Sequence, residues 1–184
     1  MTIESYGDDP TADLALVKRW LGGDDRAATS IVERHADALA RFAASSGERD
    51  GIDELVQDTF VRAFNSLDSF RGESSLRTWL FTIERRLILD RRRATRRADA
   101  RVAVAEAEGV VSYDALDSLV AEETESRVRR ALERLSPMQR DVFTLRVSEG
   151  RSYKEIAEIL GSTEGAARVH YHNAMRQIKE FIND

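Results

Sequence analysis

A chain of 184 residues has room for one domain or two small ones, and a hydrophobic content of 42% can supply a core. Two prolines and ten glycines punctuate it thinly, and Ala, Leu, Arg and Glu are abundant, so an all-helical protein is expected. The absence of cysteine excludes disulfides and thiolate metal sites. The three histidines (His35, His170, His172) are too scattered for a metal cage, and neither a cofactor nor a metal is expected. No leader-like apolar stretch and no apolar run of about 18 residues occurs, which points to a soluble, cytoplasmic chain with no membrane contact of its own.

Taken in order, apolar residues recur at helical spacing at Leu14, Val17 and Leu21, ending at Gly22-Gly23. They recur at Ala28, Ile31, Val32, His35, Leu39 and Phe42, ending near Ser45-Ser46-Gly47. A third helix from about Gly51 to Asn65 would turn Leu55, Val56, Phe60, Ala63 and Phe64 inward and leave Asp53, Glu54, Gln57, Asp58 and Arg62 on a polar face. The loop 66–75 carries Asp68, Arg71, Gly72 and Ser74. Ser74 or Ser75 can cap the next helix, whose inner stripe is Leu76, Leu80, Ile83 and Leu87. These four helices would close an N-terminal domain near residue 95.

Residues 98–121 lose periodicity and gain acids, small residues and Gly109, as a flexible linker does. Helix resumes near Glu122 with Val128, Ala131, Leu132 and Leu135. Ser136-Pro137-Met138-Gln139 is a helix start, with a capping Ser, Pro at the first position and Gln to close a capping box. Ser152 and Glu155 repeat that box, Gly161 supplies a turn, and Ser162 or Thr163 caps the last helix. The expected architecture is two small helical domains, 1–97 and 122–184, joined by an acidic linker.

The net charge is −5, but its distribution matters more than its sum. Residues 85–101 hold eight arginines against Asp90 and Asp99, residues 102–126 hold seven acids and no base, and residues 127–184 hold 11 bases and 8 acids. Two basic surfaces separated by an acidic segment suit two contacts with nucleic acid. Eight arginines in 17 residues exceed what a helix C-terminus requires, so phosphate contact is the stronger reading of that cluster. Trp79 suits either the core or a platform for unstacked bases.

The three-helix pattern of 137–182, with its short Gly turn, fits a helix-turn-helix. On its last helix Ala167, Tyr171, Ala174, Ile178 and Phe181 make the buried stripe. Arg168, Val169, His172, Asn173 and Arg176 lie opposite, with Lys179 placed for phosphate. Arg and Asn can reach guanine and adenine edges bidentately, and Val can meet a thymine methyl. No Gly-rich phosphate loop, nucleophile–base pair or carboxylate cluster with metal spacing occurs, so the chain is not expected to be an enzyme.

From about Leu14 to Phe181 the chain resembles the extracytoplasmic-function (ECF) class of the sigma-70 family. Asp53-Glu54-Leu55-Val56-Gln57-Asp58-Thr59-Phe60 is similar to the segment that grips the clamp helices of the RNA polymerase β′ subunit. Leu67-Asp68-Ser69-Phe70-Arg71-Gly72-Glu73-Ser74-Ser75 followed by Thr78-Trp79-Leu80 resembles the −10 recognition and melting regions. Leu135-Ser136-Pro137-Met138-Gln139-Arg140 and Tyr153-Lys154-Glu155-Ile156-Ala157 resemble region 4, which meets the −35 element and the β flap.

The resemblance implies an alternative sigma factor that positions core RNA polymerase on promoter DNA and is held by an anti-sigma factor. It assigns Asp53, Glu54, Gln57, Asp58 and Arg62 to the polymerase. Asp68, Arg71, Gly72, Ser74, Arg77, Trp79, Arg85, Arg86 and Arg92 go to −10 DNA, and Arg168, Val169, His172, Asn173, Arg176 and Lys179 to −35 DNA. The chain departs from the family at Ala166-Ala167-Arg168-Val169-His170, where Thr-Val-Lys-Ser-Arg is frequent. It departs again at Asn173, where arginine is common, and at Glu84, which stands among usually small residues. A helix-turn-helix regulator with an N-terminal sensing or dimerising domain is the alternative, although it gives no reason for the Ser/Gly loop, Trp79 and the arginines. A helical interaction adaptor would need no arginine cluster.

Overall fold

The computed structural model describes residues 9–48, 50–102 and 130–183. All regular structure among them is helical. Helix α1 (Pro10–Leu21) starts where the Asp9 carboxylate accepts hydrogen bonds from the Thr11 and Ala12 amides, with Pro10 at the first position. Helix α2 (Asp25–Ser45) and α3 (Ile52–Asn65) follow, then a 3-10 turn (Leu67–Ser69) and α4 (Leu76–Val102). Residues 130–134 are helical and are called α5. Helices α6 (Pro137–Val147), α7 (Tyr153–Leu160) and α8 (Glu164–Asn183) complete the chain.

Local signals set most of these boundaries. Ser136 with Gln139, and Ser152 with Glu155, each form a reciprocal capping box. Gly161 adopts φ 62°, a left-handed conformation that only glycine takes at no steric cost, and so ends α7. Of the two candidates for the last cap, Thr163 does the work: its Oγ1 accepts from the Ala166 amide at 3.2 Å. Ser75 rather than Ser74 caps α4, its Oγ accepting from the Thr78 amide at 3.1 Å.

Two expectations are corrected. In α1 only Val17 of the apolar trio is buried; Leu14 is 41% and Leu21 54% exposed. The inward polar residue is Asp13, whose carboxylate meets Arg34 Nε at 2.9 Å and the buried His35 at 3.2 Å. Leu14 instead lies over the loop, within 3.5 Å of where a Cβ on Gly72 would stand. The second concerns α4, which continues to Val102, past the end expected near residue 95. The linker positions 103–121 and the helix start near Glu122 lie outside the described residues.

The core is shared between the two halves. Phe42, Leu55, Leu67, Leu76, Leu80, Phe81 and Ile88 of the N-terminal helices belong to one buried cluster with Val142, Leu145, Ile156, Ile159 and Ala167 of the C-terminal ones. Phe42 and Phe81 meet edge-on, their ring centroids 5.3 Å apart. A smaller cluster of Ala131, Leu135, Ala174 and Ile178 ties α5 to α8. Burial of this kind stabilises by about 25 cal/mol per Å² of apolar surface.

Candidate nucleic-acid interface

The polar face of α3 is built as expected. Asp53, Glu54, Gln57, Asp58 and Arg62 are all exposed, together with Val61, while Leu55, Val56, Thr59, Phe60 and Ala63 face the core. Arg91 of α4 reaches across to this face. Its Nη1 donates to the Gly51 carbonyl at 3.1 Å, and its Nη2 lies 3.5 Å from both Glu54 and Asp58. Pairs this open contribute little stability, so their effect is mainly to orient the two carboxylates.

The loop between α3 and α4 presents Asp68, Arg71, Gly72 and Glu73 to solvent, with Ser74 half-buried. Trp79 is half-buried at the edge of the main core, packed against it together with Phe70 of the loop, their ring centroids 5.2 Å apart.

The arginines of α4 divide. Arg86, Arg93, Arg96 and Arg97 are exposed. Arg92 donates to the Ser46 carbonyl and lies 3.5 Å from Glu48. Arg77 and Arg85, expected to meet DNA, are buried against the C-terminal half. Arg77 Nη2 donates to Glu149 Oε2 at 2.5 Å, and Arg85 Nη2 lies 3.1 Å from Asp141 Oδ2. Arg41 of α2 reaches the other oxygen of Glu149 at 3.0 Å, and Ser46 Oγ donates to Asp141 Oδ1 at 2.8 Å. Thr78 donates to Glu155 Oε1 at 2.9 Å, which Arg151 also meets at 3.1 Å.

Burial dominates the electrostatics of this seam. It pushes the Asp141 carboxyl above the usual carboxylate range, although Arg85 and the Ser46 hydroxyl pull the other way. Burial also lowers Arg85, partly offset by Asp141. Both partners therefore report that desolvation outweighs their attraction, the usual condition of a buried ion pair. Glu155 is less enclosed; burial raises its carboxyl, but hydrogen bonds from Ser152 and Thr78, with Arg151 nearby, leave it lowered on balance. Glu84 is fully buried on α4, and neither carboxylate oxygen has a hydrogen-bond partner. Burial and then the charge of Glu149 push its carboxyl up to about 9, so it stays protonated near neutral pH.

On α8 the stripe is as expected: Ala167, Ala174 and Ile178 are buried, with Tyr171 and Phe181 partly so. Arg168, Val169, His172, Arg176 and Lys179 are exposed, and Asn173 is half-buried. The Arg168 guanidinium stands 4.8 Å over the Tyr153 ring, and Arg176 Nη2 donates to Asn173 Oδ1 at 3.5 Å. Pattern reading misses the polar seam: it gives Arg41, Asp141, Glu149 and Arg151 no role, reads Ser46 and Glu155 as helix-end residues, and takes in Thr78 only as part of the −10 resemblance. The one available signal was Glu84, a carboxylate between Leu80 and Ile88 on an apolar stripe.

Family models match both halves. Sigma-70 region 2 covers residues 31–98 and Sigma-70 region 4 covers residues 125–178. The ECF RNA polymerase sigma-E factor of Haemophilus influenzae is 30% identical over 180 residues, spanning 92% of this chain and 95% of that protein. Among solved structures, CnrH in complex with the cytosolic domain of CnrY aligns at a TM-score of 0.69 and 28% identity, over 94% of this chain and 97% of that one. RpoE in complex with the anti-sigma factor NepR from Bartonella quintana aligns at the same TM-score and identity, over 84% of this chain and 96% of that one. With both regions present in order and relatives matched nearly end to end, this chain belongs to the ECF class of the sigma-70 family and is an alternative sigma factor, directing promoter-specific initiation by RNA polymerase.

Proposed function

We propose that the exposed face of α3 docks on the β′ clamp helices of core RNA polymerase. In this reading the loop 66–75 and the outer side of α4 read and open the −10 element, while α8 enters the major groove at −35 and region 4 meets the β flap. The observation that carries it is the pair of exposed polar faces on α3 and α8, each backed by a buried apolar stripe. The chain acts in the cytoplasm, as a positioning factor rather than a catalyst, and the region 2 and region 4 domains extend over 1–97 and 122–184. Among the described residues no helix is long and apolar enough to cross a membrane. An anti-sigma factor is its partner when silent, a reading supported by the complexes of CnrH with CnrY and RpoE with NepR.

Arg71, Asp68 and Ser74 offer hydrogen bonds to an extruded base, and Gly72, at φ 72°, lets the backbone approach it. On α8, Arg168 and Asn173 suit base edges, Val169 a thymine methyl, and Arg176 and Lys179 phosphate, with His172 between them. The test is core polymerase capture followed by run-off transcription. Asp58→Ala with Arg62→Ala is expected to weaken capture by about 2–5 kcal/mol while helicity is retained. Unchanged capture would remove α3 from the polymerase surface. Replacing 68–74 with another ECF factor's loop shifts preference at −10 alone; a shift at −35 would make the loop a scaffold.

A further inference from the structure

Helix α1 seats itself against the pattern of its own sequence. With about 3.6 residues per turn, neighbouring side chains stand roughly 100° apart around a helix. Turning Leu14, Val17 and Leu21 inward would bury two more leucines and leave Asp13 in water, which apolar burial and carboxylate solvation both favour. The helix does the reverse. Asp13 is 1% exposed, its carboxylate 2.9 Å from Arg34 Nε and 3.2 Å from His35 Nε2, and Trp20 meets Phe64 with ring centroids 5.0 Å apart. These contacts set the rotation of α1 and swing Leu14 off the core. The helix packs on the 3-10 turn Leu67–Ser69, and Leu14 Cδ2 lies over Gly72 while the rest of the side chain stays in solvent. A fold that buries an acid to hold a leucine outside breaks a local rule, as functional positions do.

We propose that Leu14 is part of the −10 site: its exposed side chain forms the apolar wall on which the face of the extruded base rests, while Asp68, Arg71 and Ser74 meet the polar edge of that base. The inference rests on the reading of the loop 66–75 as the −10 reader. A base drawn out of the duplex loses its stacking, and hydrogen bonds to its edge restore none of it. The aromatic rings beside the loop are engaged elsewhere, since Phe70 and Trp79 pack on each other and on the core. Leu14 is the side chain nearest the place a Gly72 Cβ would take, and it is one of the exposed large apolar residues among those described. Gly72 carries no side chain, so the leucine and the loop backbone make one continuous surface there. Asp13, through Arg34 and His35, is a positioning residue for that wall.

The test is run on holoenzyme with promoter DNA. The chain has no cysteine, so Leu14→Cys gives it a single thiol, which a thiol-tethered base placed in turn at each non-template position of the −10 element can trap as a disulfide. Trapping on this chain is expected at one position. Leu21→Cys, the other exposed leucine about two turns along α1, should trap none. Arg71→Cys reports on the loop itself. Trapping at Arg71→Cys but not at Leu14→Cys overturns the inference and leaves the loop reading standing, whereas trapping at neither overturns both. Equal trapping at Leu14→Cys and Leu21→Cys also overturns it. The second measurement is affinity for a pre-opened promoter. Leu14→Ala should lower it about fivefold, and Leu14→Met should keep it. The loss should vanish when the trapped position carries an abasic sugar, because two changes to one contact are not additive. An equal loss on the abasic promoter would make Leu14 a prop for the loop alone and overturn the contact with the base.

Discussion

Two sets of arginines on α4 stand at opposite extremes, with the part-buried, paired Arg91 and Arg92 between them. Arg77 and Arg85 are buried and ion-paired with carboxylates of the other half, whereas Arg86, Arg93, Arg96 and Arg97 face water. Their residue type is the same, and Arg85 shares the basic run 85–101 with the exposed four; what differs is which side of the helix each occupies and what lies against it. A buried guanidinium commits its partner, because removing it strands a charge in a medium that cannot solvate it. An exposed one commits nothing and is available to a ligand. A count of basic residues therefore overstates the DNA-facing surface of the free chain by the members that the fold has already engaged.

The sharpest way to break this contrast is Arg85→Ala. It leaves Asp141 buried with the Ser46 hydroxyl as its hydrogen-bond partner among the described residues, and the loss of stability, measured by denaturant unfolding of the whole chain, is expected to be about 3–5 kcal/mol. Arg86→Ala, one residue along but exposed, is expected to change stability by less than about 0.5 kcal/mol. Equal losses for the two would mean that helix propensity rather than burial governs this helix.

Next in size is a pH effect seated at Glu84. Its carboxyl is raised from 4.5 to about 9 where the two halves pack together, so the packed form holds a proton which a solvated Glu84 releases. The stabilisation is complete below the ordinary carboxylate value and disappears as pH rises through about 9. Between about pH 7 and 9 the loss approaches 2–3 kcal/mol. The charged groups of the seam are Glu149 with Arg41 and Arg77, the Arg85–Asp141 pair, and Glu155; of these, Glu149 is the charge that Glu84 feels. Compaction of the free chain, followed by scattering across that range, should fall with rising pH, and Glu84→Gln should flatten the response. A flat profile for the parent chain would place Glu84 inside region 2 rather than in the seam.

Much of this molecule was readable from pattern. The caps at Ser136 and Ser152, the Gly161 turn and the α8 stripe are local devices, fixed by residues within one or two turns, and local devices leave a sequence signature. The exposed face of α3 was legible for the same reason. The seam was not, because periodicity says which side of a helix is apolar but not which distant helix will cover it. Asp141 and Glu149 look like ordinary surface acids until Arg85 and Arg77, 56 and 72 residues away, are brought against them. The α1 error has a similar origin: Leu14 and Leu21 fit a helical stripe, yet a short edge helix buries only what its neighbour α2 covers, and there the Asp13–Arg34–His35 group takes the inward position.

Arg168→Ala carries the comparison to α8. This arginine is exposed and rests on the Tyr153 ring, and among the described residues its one carboxylate neighbour is Glu164 at 4.0 Å, so it resembles the outer set of α4 in being uncommitted. If it reads a guanine, its loss costs about 1–3 kcal/mol of promoter affinity and relaxes preference at one base pair of a −35 library. Stability should stay within about 0.5 kcal/mol of the parent. Retained preference with reduced affinity would reassign it to phosphate.

The smallest effect belongs to Lys179, exposed near the end of α8. A lysine is a point charge without the planar fork that matches base edges, so its contribution is sequence-independent. Lys179→Ala should weaken holoenzyme binding to every promoter about equally and lower the slope of log affinity against log salt by about one. The same slope change is expected for Arg86→Ala on α4, since both side chains lie outside the seam. A variant of Arg77, by contrast, should alter the compaction of the free chain before it alters any salt slope. That ordering separates a cation held for DNA from one held by the protein itself, and a salt slope that dropped equally in all three variants, with compaction unchanged, would erase the distinction between the two sets of arginines.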